Sequence, residues 1–85
     1  MSYEVIWDDS ATDELQRVHD EALDKEGVVH AVTRIGIELS QIPLEAGESR
    51  EGNRRILFKY PLIVWYAVND RLKTVRVTRV GLWRR

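Results

Sequence analysis

The chain has 85 residues, 44% of them apolar and 32% charged, with no cysteine; this describes a single small domain over residues 1–85 and excludes disulfide scaffolds and cysteine-ligated zinc folds. Its 13 basic and 14 acidic residues leave a net charge of −1, which by itself points to no polyanionic partner. The sum conceals a division, because residues 1–53 carry four basic and 13 acidic residues, a net −9, while residues 54–85 carry nine basic residues and only Asp70, a net +8. Charge separated so sharply predicts a basic face.

The start of the chain has no basic stretch followed by an apolar one, and the longest apolar run, Leu62 to Val68, is seven residues. No export signal or membrane span is expected, and a cytoplasmic location follows from that reading.

Tyr3, Val5 and Trp7 alternate with Glu4 and Asp8, the period of a half-buried strand. Ser10 is a candidate helix cap with Asp13 three residues on. Ala11, Leu15, Val18, Ala22 and Leu23 then fall at helical spacing, which predicts a helix from about Ala11 to Glu26 closed by Gly27. Val28, Val32, Ile35, Leu39 and Ile42 repeat at steps of 4, 3, 4 and 3 before Pro43, and predict a second helix. Gly36 inside it suggests a close backbone approach, with the first helix as the candidate neighbour.

Leu44 to Asn53 has neither period and reads as a surface loop. Ile56, Phe58 and Tyr60 alternate with Arg55 and Lys59, which predicts a strand with one basic edge or face, broken at Pro61. Leu62 to Val68 is continuously apolar and predicts a central strand covered on both sides. Asn69-Asp70-Arg71 supplies a turn, and Lys73 to Val80 a last strand. The expected fold is α+β in the order β-α-α-β-β-β, a helical hairpin packed on one face of a small antiparallel sheet whose last three strands form a meander.

No phosphate-binding loop, nucleophile elbow or zinc-protease motif occurs. His19 and His30 stand eleven apart without a further ligand at metal spacing, and read as solvated surface residues. The paired acids Asp13/Glu14 and Asp20/Glu21 suit a solvated helix face. No metal or cofactor is expected. Arg54, Arg55, Lys59, Arg71, Lys73, Arg76, Arg79, Arg84 and Arg85 remain, interleaved with Tyr60, Trp65, Tyr66 and Trp83. Arginine beside aromatic rings suits phosphate contact and base stacking. The same residues could pair with the acidic half of the chain or take an acidic protein partner.

Tyr3-Glu4-Val5-Ile6-Trp7, Asp13-Glu14-Leu15, the loop with Gly47 and Arg50, Pro61-Leu62-Ile63-Val64-Trp65-Tyr66-Ala67-Val68-Asn69-Asp70 and Val75-Arg76-Val77-Thr78-Arg79-Val80 together resemble the RelE/ParE superfamily of toxins from bacterial type II toxin–antitoxin modules. The resemblance spans nearly the whole chain and implies a cognate antitoxin as partner. Its ribonuclease branch cleaves messenger RNA on the ribosome, and implies Arg55, Lys59, Arg84 and Arg85 as candidate catalytic residues. Its ParE branch inhibits DNA gyrase by binding, and implies Arg76, Arg79, Trp83, Arg84 and Arg85 as the contact set. The central strand opens with Pro61-Leu62-Ile63 where the ribonuclease branch has an arginine, which is compatible with the binding branch. The expected function is a growth-inhibiting toxin acting through a basic sheet face and carboxyl end, with a ribosome-dependent endoribonuclease and an inactive homologue that keeps only antitoxin binding as the alternatives.

Overall fold

In the computed structural model, which describes residues 2–83, the apolar run Leu62 to Val68 lies at the middle of the sheet. The elements are β1 (Glu4–Trp7), α1 (Asp9–Glu21), α2 (Lys25–Gln41), a short α3 (Pro43–Ala46), β2 (Glu48–Ser49), β3 (Arg54–Lys59), β4 (Leu62–Asn69) and β5 (Thr74–Leu82). The sheet has five strands in the order β1-β5-β4-β3-β2. β3, β4 and β5 form the expected antiparallel meander, and β2 adds an antiparallel edge. β1 adds a parallel edge against β5, with Val5 beside Val75 and Trp7 beside Val77, so the sheet is mixed. A parallel partner must come from a distant crossover, here almost the whole length of the chain.

The core lies between the helices and one face of this sheet. Leu62, Val64, Tyr66 and Val68 of β4 point into it, with Val75, Val77 and Val80 of β5 and Leu57 of β3. Val28, Ala31, Ile35 and Leu39 of α2 and Ala11 of α1 close it from above. The α2 stripe is thus the predicted one, except that Val32 is only half-buried and Ile42 is exposed past the helix end.

Four local expectations are corrected. α1 ends at Glu21, five residues early, because Asp24 starts the next helix: its carboxylate accepts the Gly27 N–H at 2.9 Å, and Lys25 Nζ donates to the carbonyls of His19, Asp20 and Ala22 at the end of α1. The ammonium satisfies carbonyls that a helix C-terminus leaves open. Ser10 lies inside α1 rather than capping it, and Asp8 holds the N-cap position. β4 is covered on one side only, since Ile63, Trp65 and Ala67 are half-buried on the face away from the helices. In β3 the sides are reversed: Leu57 enters the core flanked by Arg55 and Lys59, opposite Tyr66, Val64 and Leu62, whereas Ile56 and Phe58 lie on the other face.

The edge strand β1 is held at its start by a clasp. Tyr3 Oη donates to Asp70, Lys73 Nζ donates to the same carboxylate at 2.9 Å, and the ammonium stands 5.1 Å from the Tyr3 ring centre. The Tyr3 and Lys73 hydrogen bonds hold the Asp70 carboxyl below its ordinary value of 3.8. A group depressed in the folded state stabilises above its unfolded pKa and loses that contribution as the pH falls through the folded one. In acid titrations followed by tryptophan fluorescence, Asp70→Asn is therefore expected to be less stable than the parent at neutral pH and to converge with it as the pH falls through the lowered Asp70 pKa; a difference that persists in stronger acid would contradict the clasp.

The glycines divide by their surroundings. At Gly36 no atom outside the helix lies within 4 Å of where a Cβ would stand, so the expected close approach is absent, whereas at Gly47 a Cβ would stand 2.5 Å from the Ile56 carbonyl oxygen and 2.6 Å from Tyr66 Oη. Urea unfolding should show Gly36→Ala stabilising by about 0.5–1 kcal/mol and Gly47→Ala destabilising by about 1–3 kcal/mol.

Candidate functional site

The face of the sheet away from the helices carries the candidate site, and one irregularity sets its contents. In a regular strand Arg76 and Arg79, three apart, point to opposite sides. Between Trp65 and Tyr66 the pairing of β4 with β5 shifts by one residue, so that Trp65 faces Arg79, Tyr66 faces Val77, and Thr78 is extra. The bulge lets Val77 and Val80 both enter the core while Arg76, opposite Ala67, and Arg79, opposite Trp65, share the open face. Thr78 Oγ1 donates to the Trp65 carbonyl at 3.3 Å across the irregularity.

Each arginine has a resident contact. The Arg79 guanidinium lies 5.1 Å from the Trp65 ring centre, an attraction between cation and ring face. Arg76 Nη1 lies 2.6 Å from Asp8 Oδ1. The Trp65 ring lies over Gly81, where a Cβ would stand 3.4 Å from its edge, in ordinary contact. A cavity of about 490 Å³ opens beside this ring, lined by Arg50, Glu51, Arg54, Trp65, Ala67, Thr78 and Arg79, and in part by Arg55 and Tyr66, whose polar ends bond on the helix side. At the far end of the face Phe58 meets Trp83 edge to face at 5.5 Å, Tyr60 meets it at 5.9 Å, and the Trp83 backbone N–H donates to the Pro61 carbonyl at 2.7 Å.

Arg76, Arg79 and Trp83 thus belong to one surface. Arg55 and Lys59 do not. Both sit on the helix side, where Arg55 Nη2 donates to the carbonyls of Leu44 and Gly47, each at 2.7 Å, and Lys59 Nζ pairs with Glu38 at 2.6 Å. Beside Arg55, Tyr66 Oη donates to the Pro43 carbonyl at 2.8 Å, and burial pushes the Tyr66 phenol above its ordinary value, so it stays a neutral donor. Arg84 and Arg85 lie outside the described residues. Arg54 and Trp65, named from the sequence only among the wider basic and aromatic candidates and left out of the catalytic and contact sets, also line the cavity. Their signal was the alternation of β4, which sets Trp65 against Val64 and Tyr66 and leaves its ring on the open side.

The two charged halves meet sparingly. Among the described residues, ion pairs between them are Asp8 with Arg76 and Glu38 with Lys59, so the acidic helices do not neutralise the basic face. Also among the described residues, no helix is long and apolar enough to cross a membrane, and no group of three or more potential ligands is placed to hold a metal ion.

No family model and no curated protein matches this chain by sequence. Solved structures do. A chain of the RelBE2 toxin–antitoxin complex of Mycobacterium tuberculosis superposes with a TM-score of 0.78 at 22% identity, covering 96% of this chain and 92% of that one. The fold is that of the RelE/ParE toxins. The chromosomal ParDE system of P. aeruginosa gives a TM-score of 0.71 at 17% identity, covering 96% and 97%, and a mutant of the E. coli toxin RelE in the free state gives 0.70 at 22% identity, covering 96% and 84%. Both branches of the RelE/ParE fold are therefore similar to this chain over nearly its whole length.

The opposed placement of Arg54 and Arg55 has a measurable consequence. Arg55→Met removes a charged donor from two carbonyls and should cost about 1–3 kcal/mol in urea unfolding, whereas Arg54→Met on the open face should change stability by less than about 0.5 kcal/mol; equal losses would place the two side chains alike.

Proposed function

We propose that this chain is the toxin of a type II toxin–antitoxin module and that it inhibits growth by binding a macromolecular target, in the manner of a ParE-type inhibitor of DNA gyrase, through its open sheet face. The observation that carries the reading is the grouping of Arg76 and Arg79 with Trp65 and Trp83 on that face, while Arg55 and Lys59, the residues a cleavage site would use to hold phosphate, are committed to Leu44, Gly47 and Glu38 on the other. Arginines on an open face give electrostatic steering and fork-shaped contacts to carboxylate or phosphate. The partner is a cognate antitoxin whose acidic or amphipathic segment covers the same face, and the working compartment is the cytoplasm.

The cavity favours a second reading. Arg54, Arg79 and the Trp65 ring form a surface on which a single-stranded base stacks while its phosphates meet guanidinium groups, as a ribosome-dependent endoribonuclease requires.

Inducible expression separates these readings. Under the binding reading the parent arrests growth, purified protein blocks gyrase supercoiling, and Arg76→Glu with Arg79→Glu abolishes both with the fold intact. Codon-phased messenger RNA ends after induction, with supercoiling unaffected, would replace it with the endoribonuclease. Undisturbed growth, with the product of the adjacent reading frame still co-purifying, would leave only antitoxin binding.

A further inference from the structure

Asp8 occupies the N-cap position of α1, where an aspartate ordinarily accepts hydrogen bonds from the first-turn N–H groups. Its side chain makes no cap bond. The carboxylate instead turns across the sheet to Arg76, with Oδ1 2.6 Å from Nη1. The backbone fixes this aim: Asp8 N–H donates to the Val77 carbonyl at 3.0 Å, and the Thr12 N–H donates to the Asp8 carbonyl at 2.9 Å. β1 beside β5 thus delivers one acid of the −9 half to one arginine of the +8 half. The Arg76 side chain remains 56% exposed while that of Asp8 is 28% exposed, so a carboxylate arriving from solvent can reach the guanidinium that Asp8 holds.

We propose that Asp8 is a resident carboxylate that competes for Arg76 with an acidic segment of a partner polypeptide. The pair already satisfies carboxylate geometry, so replacing Asp8 by a glutamate or aspartate of the partner exchanges like for like. The neighbours on the open face are Ile6, beside Arg76 on β1, and Ala67, opposite it on β4, which offer no ring for a base; the ring at hand, Trp65, belongs to Arg79. Arg76 is thereby the protein-facing end of the basic face. A partner with one stray acid gains nothing over Asp8, and only a segment with several acids displaces it, which is selection by an internal competitor.

The inference rests on the open face being the binding surface, and its test keeps the two claims apart. With the full chain and poly-L-glutamate as probe at low salt, Asp8→Asn should bind about two- to fivefold more tightly than the parent, the range of one exposed ion pair. The gain should vanish in an Arg76→Gln background, and Asp9→Asn, which removes the same charge from the neighbouring position, should not reproduce it. No gain, or an equal gain with Arg76→Gln, overturns the role of Asp8. A gain for polyuridylate without one for poly-L-glutamate overturns the assignment to a polypeptide. If the face itself were wrongly chosen, Arg79→Gln would leave poly-L-glutamate binding unchanged, whereas an error about Asp8 alone leaves that weakening in place.

Discussion

Where β5 passes Trp65, it carries one residue more than β4 can pair, and Thr78 stands outside the ladder. A strand alternates its side chains with period two, so a sequence with Val75, Val77 and Val80 in the core would otherwise have to sacrifice one of them. The extra residue resets the phase. Before it, Arg76 is on the open face because Val75 and Val77 are in; after it, Arg79 is on the open face because Val80 is in. A packing requirement on one side of the sheet thereby assembles the basic surface on the other.

The two faces use their cations differently. Toward the helices, Arg55 and Lys59 enter a partly buried setting where an unmatched donor costs free energy; Arg55 Nη2 finds the carbonyls of Leu44 and Gly47 and Lys59 the carboxylate of Glu38, while Arg55 Nε is buried without an acceptor. These bonds hold α3 and the end of α2 on β3, close to the crowded contact of Gly47 with Ile56 and Tyr66. Toward solvent, Arg79 rests on an aromatic ring and Arg76 on one carboxylate, contacts that leave guanidinium donors available. The first pair builds the scaffold, and the second keeps its charge on the open face.

Much of this was legible in the residues. The 4-3-4-3 spacing of α2, the central place of Leu62 to Val68, the meander and the order of elements follow from periods and turn chemistry that are local. The parts that were not legible depend on distant partners. The side taken by β3 is one: Ile56 and Phe58 are as apolar as any core pair, and only the pairing of Leu57 with Val64, together with acceptors for Arg55 and Lys59, turns the strand over. The break between the helices is another, because Gly27 serves equally as a stop for α1 and as a donor to Asp24 in the first turn of α2. Arg76 and Arg79, grouped on composition, do share one face of the sheet, but the bulge that places them there has no signature in Val-Arg-Val-Thr-Arg-Val.

The phase reset in β5 is the claim on which the basic face stands, and the cross-strand proton contacts of β4 and β5 in solution test it most directly. In nuclear Overhauser spectra of the full chain, the account predicts that the Tyr66 backbone contacts Val77, that the Trp65 backbone contacts Arg79, and that the Arg79 side chain contacts the Trp65 indole. An unbroken ladder that pairs Trp65 with Thr78 would put Arg76 and Arg79 on opposite faces and contradict it.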